Sequence, residues 1–287
     1  MLLLFLANHL THLVSPLPEG EKTPPWLKKG RLDNWRLIRK IGSGGSGDVF
    51  IAGNSDNDIR ALKIFSPKSD DRRAFDLEFD GIFKAKSIGE HPYIVPIESI
   101  GKKQYCMYYT MPLADHLDPG PDCKIHTLYN YRPHTLYNRI IDNDLTEPEL
   151  LELASNILDA LDFLHGKELV HRDVKPDNIM RVRGVWRLGD LGLISWRRPR
   201  NFAGTPGYYP ERKSFRADTS SDIYALGKTL YCAATGMKPT CYPLVPEKYD
   251  YDRYSKLRSI YRAAVEGKYE TADEMKRDVT AAWDQLL

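Results

Sequence analysis

The stretch Ile41–Phe50 reads IGSGGSGDVF and has glycines at Gly42, Gly44 and Gly47. The spacing G-x-G-x-x-G occurs in two unrelated phosphate-binding structures. One is a strand–turn–helix that grips a dinucleotide, and the other is a strand–loop–strand hairpin that covers a nucleoside triphosphate. The residues after the last glycine, Asp-Val-Phe-Ile-Ala, are β-branched and aromatic, which favours a strand. The stretch therefore predicts the hairpin, with backbone N–H groups that approach phosphates without interference from a Cβ atom.

The flanking sequence supports the hairpin. Trp35–Ile41 is predicted to be the strand that enters it, Asn54–Asp58 a polar turn, and Ile59–Phe65 the next strand. A dinucleotide-binding fold would instead need a helix after the glycines and an acidic residue about 20 positions further on. Lys63 then lies on the third strand of this prediction, where its amine can reach nucleotide phosphates below the glycines.

Four further motifs follow the hairpin in a fixed order. They are HRDVKPDN at His171–Asn178, GDLG at Gly189–Gly192, GTPGYYPE at Gly204–Glu211 and SDIYALG at Ser221–Gly227. Their order and spacing resemble those of the eukaryotic-type Ser/Thr protein kinases, particularly the bacterial branch, from about Trp35 to the C-terminus.

This resemblance implies a two-lobed α+β protein kinase fold. The N-lobe would be a small antiparallel sheet with one helix, the C-lobe would be mainly helical, and ATP would lie in the cleft between them. We expect an apolar segment and a Pro-rich linker over residues 1–30 and a kinase domain over 31–287. Its N-lobe would cover about 31–111 and its C-lobe about 115–287.

The resemblance also implies the reaction, which is transfer of the γ-phosphoryl group of Mg·ATP to a protein Ser or Thr hydroxyl, with autophosphorylation. Asp173 would accept or orient the proton of the attacking hydroxyl, and Lys175 would neutralise the γ-phosphate. Asn178 and Asp190 would bind Mg²⁺, or Mn²⁺ in its place, through oxygen atoms. The hydroxyl of Thr205 would bridge Asp173 and Lys175.

Nucleotide binding can be assigned in the same way. Lys63 would contact the α- and β-phosphates, with its ammonium held by Glu78 in the segment Arg72–Ile88. By the same resemblance, Met111 is the gatekeeper and Ala114 offers its backbone N–H and C=O to adenine. The ring would lie between Val49 and Ala61 above and Met180 below.

Leu191 departs from the family pattern, which has phenylalanine at this position of the Gly-Asp-Leu-Gly motif. Leucine keeps the apolar packing and leaves the metal ligand Asp190 in place.

Two alternative functions stay open: a pseudokinase scaffold that binds nucleotide without turnover, and a small-molecule phosphotransferase that uses the same acidic residues. Gly204–Glu211 resembles the peptide-docking segment of protein kinases and so favours a protein substrate.

Several local signals place helices around these motifs. Thr135 is a candidate N-cap for a helix over Leu136–Ile141, and Thr146 begins a long helix with a proline and acidic residues in its first turn. Asp222 lies early in another apolar helix. By resemblance, its carboxylate accepts backbone N–H groups from the His171-Arg172 turn.

Composition excludes several classes of protein. The 41 Lys and Arg residues against 39 Asp and Glu give a net charge of +2, which is too balanced for a nucleic-acid-binding protein. The four cysteines form no C-x-x-C pair, so neither a zinc site nor a disulfide framework is expected. This usage suits a reducing compartment and predicts a cytoplasmic location.

The N-terminal residues 1–14 are apolar and uncharged, but they lack the basic region of a signal peptide. They are also shorter than the ~20 apolar residues of a membrane span. The segment is predicted to be an amphipathic helix docked on the domain, or the product of an upstream start codon. Peripheral membrane contact and dimerisation are the alternatives, and the oligomeric state is left open.

Two other features have open interpretations. Arg197, Arg198 and Arg200 suit an acidic partner, an acidic substrate segment or a bound phosphate, although a solvated loop would have the same composition. The pentapeptide HTLYN occurs twice, beginning at His126 and His134. A surface hairpin is favoured over a metal site, because no cysteine or acidic partner has ligand spacing.

Overall fold

The computed structural model describes residues 30–44, 47–65, 72–103, 106–117, 128, 130–197, 204–210, 217–247, 249–250 and 252–286. The chain forms two compact units that alternate along the sequence. The first contains the described parts of Met1–Phe79, Ile97–Leu113 and Asp118–Arg132, and the second contains Asp80–Pro96, Ala114–Leu117 and Pro133–Leu287. The predicted N-terminal helix and linker lie outside the described residues.

An antiparallel sheet of six strands forms most of the first unit. Its strands are β1 Arg31–Leu32, β2 Trp35–Gly44, β3 Gly47–Gly53, β4 Ile59–Phe65, β5 Ser99–Lys103 and β6 Cys106–Met111. They lie in the order β1-β2-β3-β4-β6-β5. The strand–loop–strand prediction is confirmed. The strand with Lys63 is the fourth rather than the third, because the two residues of β1 are too short to show a periodic pattern.

The two faces of strand β4 have different surroundings: one contributes to the apolar core and the other faces a helix. Leu62 and Ile64 belong to a buried apolar cluster with Trp35 and Tyr108. The alternate residues point the other way, as they must in a strand. Lys63 and Phe65 contact helix α1 (Arg72–Ser87) through Glu78 and through Phe75, whose ring centroid is 5.5 Å from that of Phe65. Because the side chains of β4 alternate between the two faces of the sheet, the Lys63 ammonium lies on the face that α1 covers.

The second unit is mainly helical. Its helices after α1 are α2 Leu136–Asp142, α3 Glu147–Gly166, α4 Thr219–Thr235, α5 Ser255–Val265 and α6 Ala272–Asp284. Helix α3 packs on α6, while α4 packs on α5 and is buried all round over residues 225–235. The predicted combination of a small antiparallel sheet and a helical unit is thus confirmed. Within the described residues, no helix is long and apolar enough to cross a membrane.

The predicted helix starts are also confirmed. The Thr135 hydroxyl accepts a hydrogen bond from the backbone N–H of Asn138 at 3.2 Å and caps α2. The Thr146 hydroxyl accepts one from the N–H of Glu149 at 3.4 Å and caps α3. A short polar side chain that satisfies an unpaired N–H group is what makes such positions recognisable in sequence.

Four short strands complete the second unit: β7 Leu169–Val170, β8 Ile179–Val182, β9 Val185–Leu188 and β10 Ser195–Trp196. Strands β8 and β9 form an antiparallel hairpin in which Ile179 is opposite Leu188. The backbone N–H of Gly189 then donates to the carbonyl of Asn178 at 2.7 Å. The open end of this hairpin therefore brings Asn178 next to the Gly189–Asp190 dipeptide.

Candidate active site

The carboxylate of Asp173 is the centre of a polar cluster in the second unit. Its Oδ1 accepts a hydrogen bond from the Thr205 hydroxyl at 2.6 Å, and its Oδ2 accepts one from Nδ2 of Asn178 at 2.9 Å. The ammonium of Lys175 lies 2.8 Å from the same Oδ2 and donates to Oγ1 of Thr205 at 2.8 Å. The structure thus brings together four residues that the sequence predicts to be catalytic.

Asp222 fixes the turn that precedes Asp173. Its Oδ2 accepts the backbone N–H of His171 and its Oδ1 that of Arg172, each at 2.8 Å, as predicted. Nε2 of His165 lies 3.0 Å from Oδ2. Burial acts to raise the pKa of the Asp222 carboxyl. The hydrogen bond from His165, the nearby histidines and the N–H of Arg172 outweigh burial and hold that pKa below its ordinary value.

The backbone of Arg172 adopts a left-handed conformation with φ of 74°. A residue with a Cβ atom adopts it at a cost of about 1–2 kcal/mol. The two hydrogen bonds to Asp222 and a third from Nη1 of Arg172 to the carbonyl of Leu193, at 3.4 Å, stabilise it. Burial lowers the pKa of the Arg172 guanidinium, and the Asp222 carboxylate opposes that shift. The strained turn fixes the direction from which Asp173 enters the cluster.

Asn178 and Asp190 supply the oxygen atoms of the candidate metal site. Nδ2 of Asn178 donates to both the carbonyl and the carboxylate of Asp173, which leaves its Oδ1 as the acceptor for another group. Asp190 follows Gly189, whose carbonyl oxygen lies 3.0 Å from Nε2 of His171. The backbone of Asp190 is left-handed, with φ of 54°. An amide oxygen and a carboxylate are ligands that Mg²⁺ favours, so this donor set fits that cation.

In the first unit, the ammonium of Lys63 lies 2.8 Å from Oε1 of Glu78. Both side chains are almost wholly buried, at 3% and 1% exposure. A buried ammonium is stable only beside a compensating charge, and the α1 carboxylate supplies it. The pair predicted from sequence is thus formed, with Lys63 from β4 and Glu78 from α1.

The glycine hairpin also lies in the first unit. Gly42 is opposite Val49, and Gly44 is opposite Gly47, at the end of the β2–β3 ladder. Gly47 has φ of 141°, and a Cβ atom there would lie 2.4 Å from the carbonyl oxygen of Ile64. This position therefore requires glycine both for its conformation and for the close approach of β4.

A family model for the protein kinase domain matches residues 35–287. The chain belongs to the protein kinase family. Serine/threonine-protein kinase 10 of Mus musculus is 30% identical over 217 residues, which cover 69% of this chain and 20% of that protein. Serine/threonine-protein kinase PknF of Mycobacterium tuberculosis is 29% identical over 239 residues, 75% of this chain and 45% of the relative. Serine/threonine-protein kinase PknD of Chlamydia muridarum is 26% identical over 236 residues, 70% of this chain and 24% of the relative.

This kinase domain thus spans from about a fifth to under half of the length of these relatives. Its antiparallel first unit and helical second unit agree with the α+β kinase fold expected from the motifs. The matched region begins at the first residue of β2, so it includes the glycine hairpin as well as the Asp173 cluster.

The adenine-binding residues predicted for the kinase domain are distributed over both units. In the first unit, Val49 is opposite Lys63 on β3 and β4, and Ala61 is opposite the buried Met111 on β4 and β6. In the second unit, Ala114 is buried and Met180 lies on β8.

Leu191 is buried in a one-turn 3-10 helix, Leu191–Leu193, which keeps the apolar character expected at this position. The turn approaches Gly81 of helix α1 so closely that a Cβ atom on Gly81 would lie 2.1 Å from the carbonyl oxygen of Gly192. Sequence reasoning missed Gly81. The available signal was a glycine in the interior of a helix, where it is unfavourable unless a close contact requires it.

Arg197 is the one described member of the three-arginine cluster, because residues 198–203 lie outside the described chain. Its backbone N–H donates to the carbonyl of Glu168 at 3.0 Å, and its Nε lies 3.5 Å from the Glu168 carboxylate. Its Nη2 donates to the carbonyl of His165 at 3.2 Å. These contacts tie the segment after β10 to the end of α3.

The second HTLYN copy packs against the hairpin β8–β9. The His134 ring meets Trp186 edge-on at a centroid distance of 5.2 Å, and its Nε2 lies 3.1 Å from Nη1 of Arg139. A ring nitrogen that faces a guanidinium accepts its hydrogen bond and is poorly placed to bind a cation as well. His126, in the first copy, lies outside the described residues.

Proposed function

We propose that this kinase domain transfers the γ-phosphoryl group of Mg·ATP to a serine or threonine hydroxyl of a protein. The observation that carries the proposal is the Asp173 carboxylate, which is held by Asn178, Lys175 and Thr205. Phosphoryl transfer needs little covalent chemistry from the enzyme. Instead, it depends on positioned charges and on an oriented nucleophile, and this cluster can supply both.

In this proposal the acceptor hydroxyl oxygen bonds to the γ-phosphorus while the bond to the β–γ bridging oxygen breaks, and ADP leaves. The hydroxyl proton goes to the Asp173 carboxylate. Lys175 neutralises charge on the transferred group, and Thr205 keeps the carboxylate and the ammonium in register. The Asp-x-Lys spacing resembles that of Ser/Thr kinases, which favours serine and threonine over tyrosine as acceptors.

The remaining residues would bind the nucleotide. Lys63, fixed by Glu78, would contact the α- and β-phosphates, and the turn with Gly42, Gly44 and Gly47 would offer backbone N–H groups. Adenine would be bound by the apolar and backbone groups of Val49, Ala61, Met111, Ala114 and Met180. Asn178 and Asp190 would hold Mg²⁺ or Mn²⁺, which supplies charge neutralisation at the phosphates when bound.

The relatives named as serine/threonine-protein kinases support this choice of acceptor. We also propose autophosphorylation, a cytoplasmic location and an acidic protein partner for the segment with Arg197, Arg198 and Arg200. Because Arg197 already contacts Glu168, the partner would depend mainly on the other two arginines. Peripheral membrane contact through residues 1–14 remains part of the proposal.

A direct assay separates the candidate functions. The purified chain is incubated with Mg·ATP and an equimolar mixture of Ser, Thr and Tyr peptides, and products are identified by mass spectrometry. We expect phosphate on Ser and Thr peptides and on the chain itself. Binding of ATP without any transfer would indicate a scaffold, and transfer to added small-molecule alcohols alone would indicate a small-molecule phosphotransferase. Either result contradicts the proposal.

A further inference from the structure

Arg39 lies outside the catalytic set and connects strand β2 to a distant part of the first unit. Its Nη2 donates to the carbonyl of Tyr131 at 2.6 Å, and its Nη1 donates to the carbonyl of Leu128 at 3.3 Å. These acceptors are 92 and 89 residues away in sequence. The guanidinium therefore spans two carbonyls of a segment that follows the whole sheet along the chain.

Strand β2 is irregular on both sides of Arg39. Its register against β3 shifts between Leu37 and Arg39 and again between Lys40 and Gly42. Such bulges disrupt the ladder locally and bend the strand. The backbone hydrogen bonds of the sheet therefore constrain this part of β2 less than they constrain a regular strand, and a side-chain contact at Arg39 has more effect on its course.

The position of Arg39 relates this contact to the phosphate-binding turn. Gly42, the first glycine of the triad, is three residues beyond Arg39, and the second bulge separates the two. The turn at Gly44 and Gly47 ends the same ladder. A displacement of β2 at Arg39 would therefore also displace the backbone of the glycine turn, which binds the phosphates in the proposed function.

One of the two acceptor residues, Tyr131, is itself well packed. Its side chain is buried in the first unit, at 5% exposure, so the position of its carbonyl is fixed by packing as well as by the hydrogen bond. The planar guanidinium presents several N–H donors in a fixed fork and can bind two carbonyls at once, whereas a lysine ammonium is a compact point charge. The contact is therefore specific for arginine in geometry.

We infer that Arg39 is a positioning residue for nucleotide phosphates. Its hydrogen bonds to Leu128 and Tyr131 hold β2 between the two bulges and thereby set the glycine turn. The inference rests on the proposed function, because it assumes that this turn binds the phosphates of ATP. It assigns Arg39 no contact with the nucleotide.

The test compares the dissociation constants of Mg·ATP and of adenosine, measured by equilibrium titration, for wild type and Arg39→Ala. Loss of two charge-assisted hydrogen bonds should weaken ATP binding roughly tenfold. Adenosine has no phosphates, so its affinity should change by less than about twofold. Arg39→Lys should restore part of the ATP affinity. Arg60→Ala is the matched control, because Arg60 lies on β4 of the same sheet and its guanidinium pairs with Glu98, the residue before β5.

Unchanged ATP affinity in Arg39→Ala would overturn the inference. Equal losses for ATP and adenosine, or an ATP loss that Arg60→Ala reproduces, would also overturn it, because either would indicate a general disturbance of the sheet. If thermal melting shows that Arg39→Ala is unfolded, the dissociation constants of Mg·ATP and adenosine are compared between wild type and Arg39→Lys instead. The inference then requires a weaker affinity for ATP and an unchanged affinity for adenosine. A wild type that binds ATP without transferring phosphate contradicts only the proposed function, whereas a wild type that does not bind ATP contradicts both.

Discussion

Thr205 donates a hydrogen bond from its hydroxyl to Oδ1 of Asp173, with 2.6 Å between the two oxygen atoms. The same hydroxyl accepts a hydrogen bond from the ammonium of Lys175 at 2.8 Å. The preceding residue, Gly204, has φ of 140°, and a Cβ atom there would lie 2.9 Å from the carbonyl oxygen of Arg172. The segment with Thr205 thus lies directly against the loop with Asp173, and its hydroxyl completes the polar cluster.

Removal of that hydroxyl should therefore impair catalysis more than folding. Thr205→Val keeps the shape of the side chain but leaves Asp173 and Lys175 without their shared partner. A hydrogen bond to a charged group contributes about 1.5–3 kcal/mol, which corresponds to a loss of roughly 10–100-fold in kcat. Thr205→Ser should stay within about threefold of wild type, because it retains the hydroxyl. Initial rates at saturating Mg·ATP measure the effect.

Ser195→Ala is the matched control for this experiment. Among the described residues, the Ser195 hydroxyl donates to the carbonyl of the adjacent Trp196, at 3.2 Å, and it has no hydrogen bond to the Asp173 cluster, so its removal should leave kcat unchanged. Protein treated with phosphatase should also retain its basal activity. A phosphate on Thr205 would be repelled by the Asp173 carboxylate, whereas the unmodified hydroxyl donates a hydrogen bond to it, so phosphorylation there is not expected to be needed. A Thr205→Val enzyme with the wild-type rate, or an enzyme that needs phospho-Ser195, would contradict this account.

Asp173→Asn should separate nucleotide binding from turnover. The substitution preserves size but removes the negative charge that meets Lys175 and the hydroxyl of Thr205. For a group that positions and accepts a proton, we expect kcat to fall by about 10²–10⁴-fold, with the dissociation constant of Mg·ATP nearly unchanged. Steady-state kinetics and equilibrium titration of the same preparation measure the two quantities.

Asp177→Asn is the control for the charge change. Asp177 lies in the same loop, but it is exposed to solvent and outside the Asp173 cluster. Its variant should keep kcat within about threefold of wild type. Full activity of Asp173→Asn, or an equal loss in both variants, would show that the carboxylate of Asp173 has no special role.

Much of the site could be predicted because its signals are local. The glycine spacing followed by β-branched residues indicated the hairpin, and Thr135 and Thr146 marked helix starts through capping. The loop motif places Asp173, Lys175 and Asn178 within six consecutive residues, so a single turn of chain brings them together. In each case, the residues that interact are close together in the sequence.

The features that escaped prediction depend on long-range contacts. Nothing in the sequence near Arg39 indicates that it reaches the carbonyls of Leu128 and Tyr131, because backbone acceptors have no sequence signature. The two residues of β1 are likewise a strand only because they pair with β2. Gly81 is explained by the Leu191–Leu193 turn that lies against it, which no property of the helix sequence alone reveals.

Gly81→Ala should reverse the usual effect of replacing glycine in a helix. Alanine normally stabilises such a position by about 0.5–1 kcal/mol. At Gly81 the new Cβ would lie 2.1 Å from the carbonyl oxygen of Gly192, so either helix α1 or the turn after Asp190 has to move. We expect a loss of about 1–3 kcal/mol in the free energy of unfolding and a reduced kcat. Urea unfolding and initial rates measure the two effects.

Gly166→Ala provides the comparison for that experiment. Gly166 ends helix α3, and beyond its own helix backbone and chain neighbours no described residue comes within 4 Å of a Cβ atom placed there, so alanine should be neutral or slightly stabilising. The opposite signs at the two glycines are the specific expectation. A Gly81→Ala protein as stable and active as Gly166→Ala would show that the contact with the Leu191–Leu193 turn is easily relaxed.

His134 should make the stability of the domain depend on pH. Burial lowers the pKa of the His134 imidazole, and the guanidinium groups of Arg139 and Arg181 add to this, while the carboxylates of Glu149 and Asp115 oppose it. The folded state therefore favours the neutral ring, which lies 3.1 Å from Nη1 of Arg139. In the unfolded chain, the ring takes up a proton as the pH falls through its ordinary value of 6.5.

Between the lowered folded pKa and 6.5, the unfolded state binds more protons at His134, so the free energy of unfolding must fall as the pH falls through this window. In His134→Gln the side-chain amide can still accept from Arg139 but does not titrate. Urea unfolding at about pH 7.5 and about pH 5.5 should thus show a smaller loss of stability on acidification in the variant than in wild type. His91, whose pKa is also lowered, chiefly by burial, is present in both proteins and cancels from the comparison. An identical pH dependence in the two proteins would mean that His134 takes up its proton equally well in the folded state.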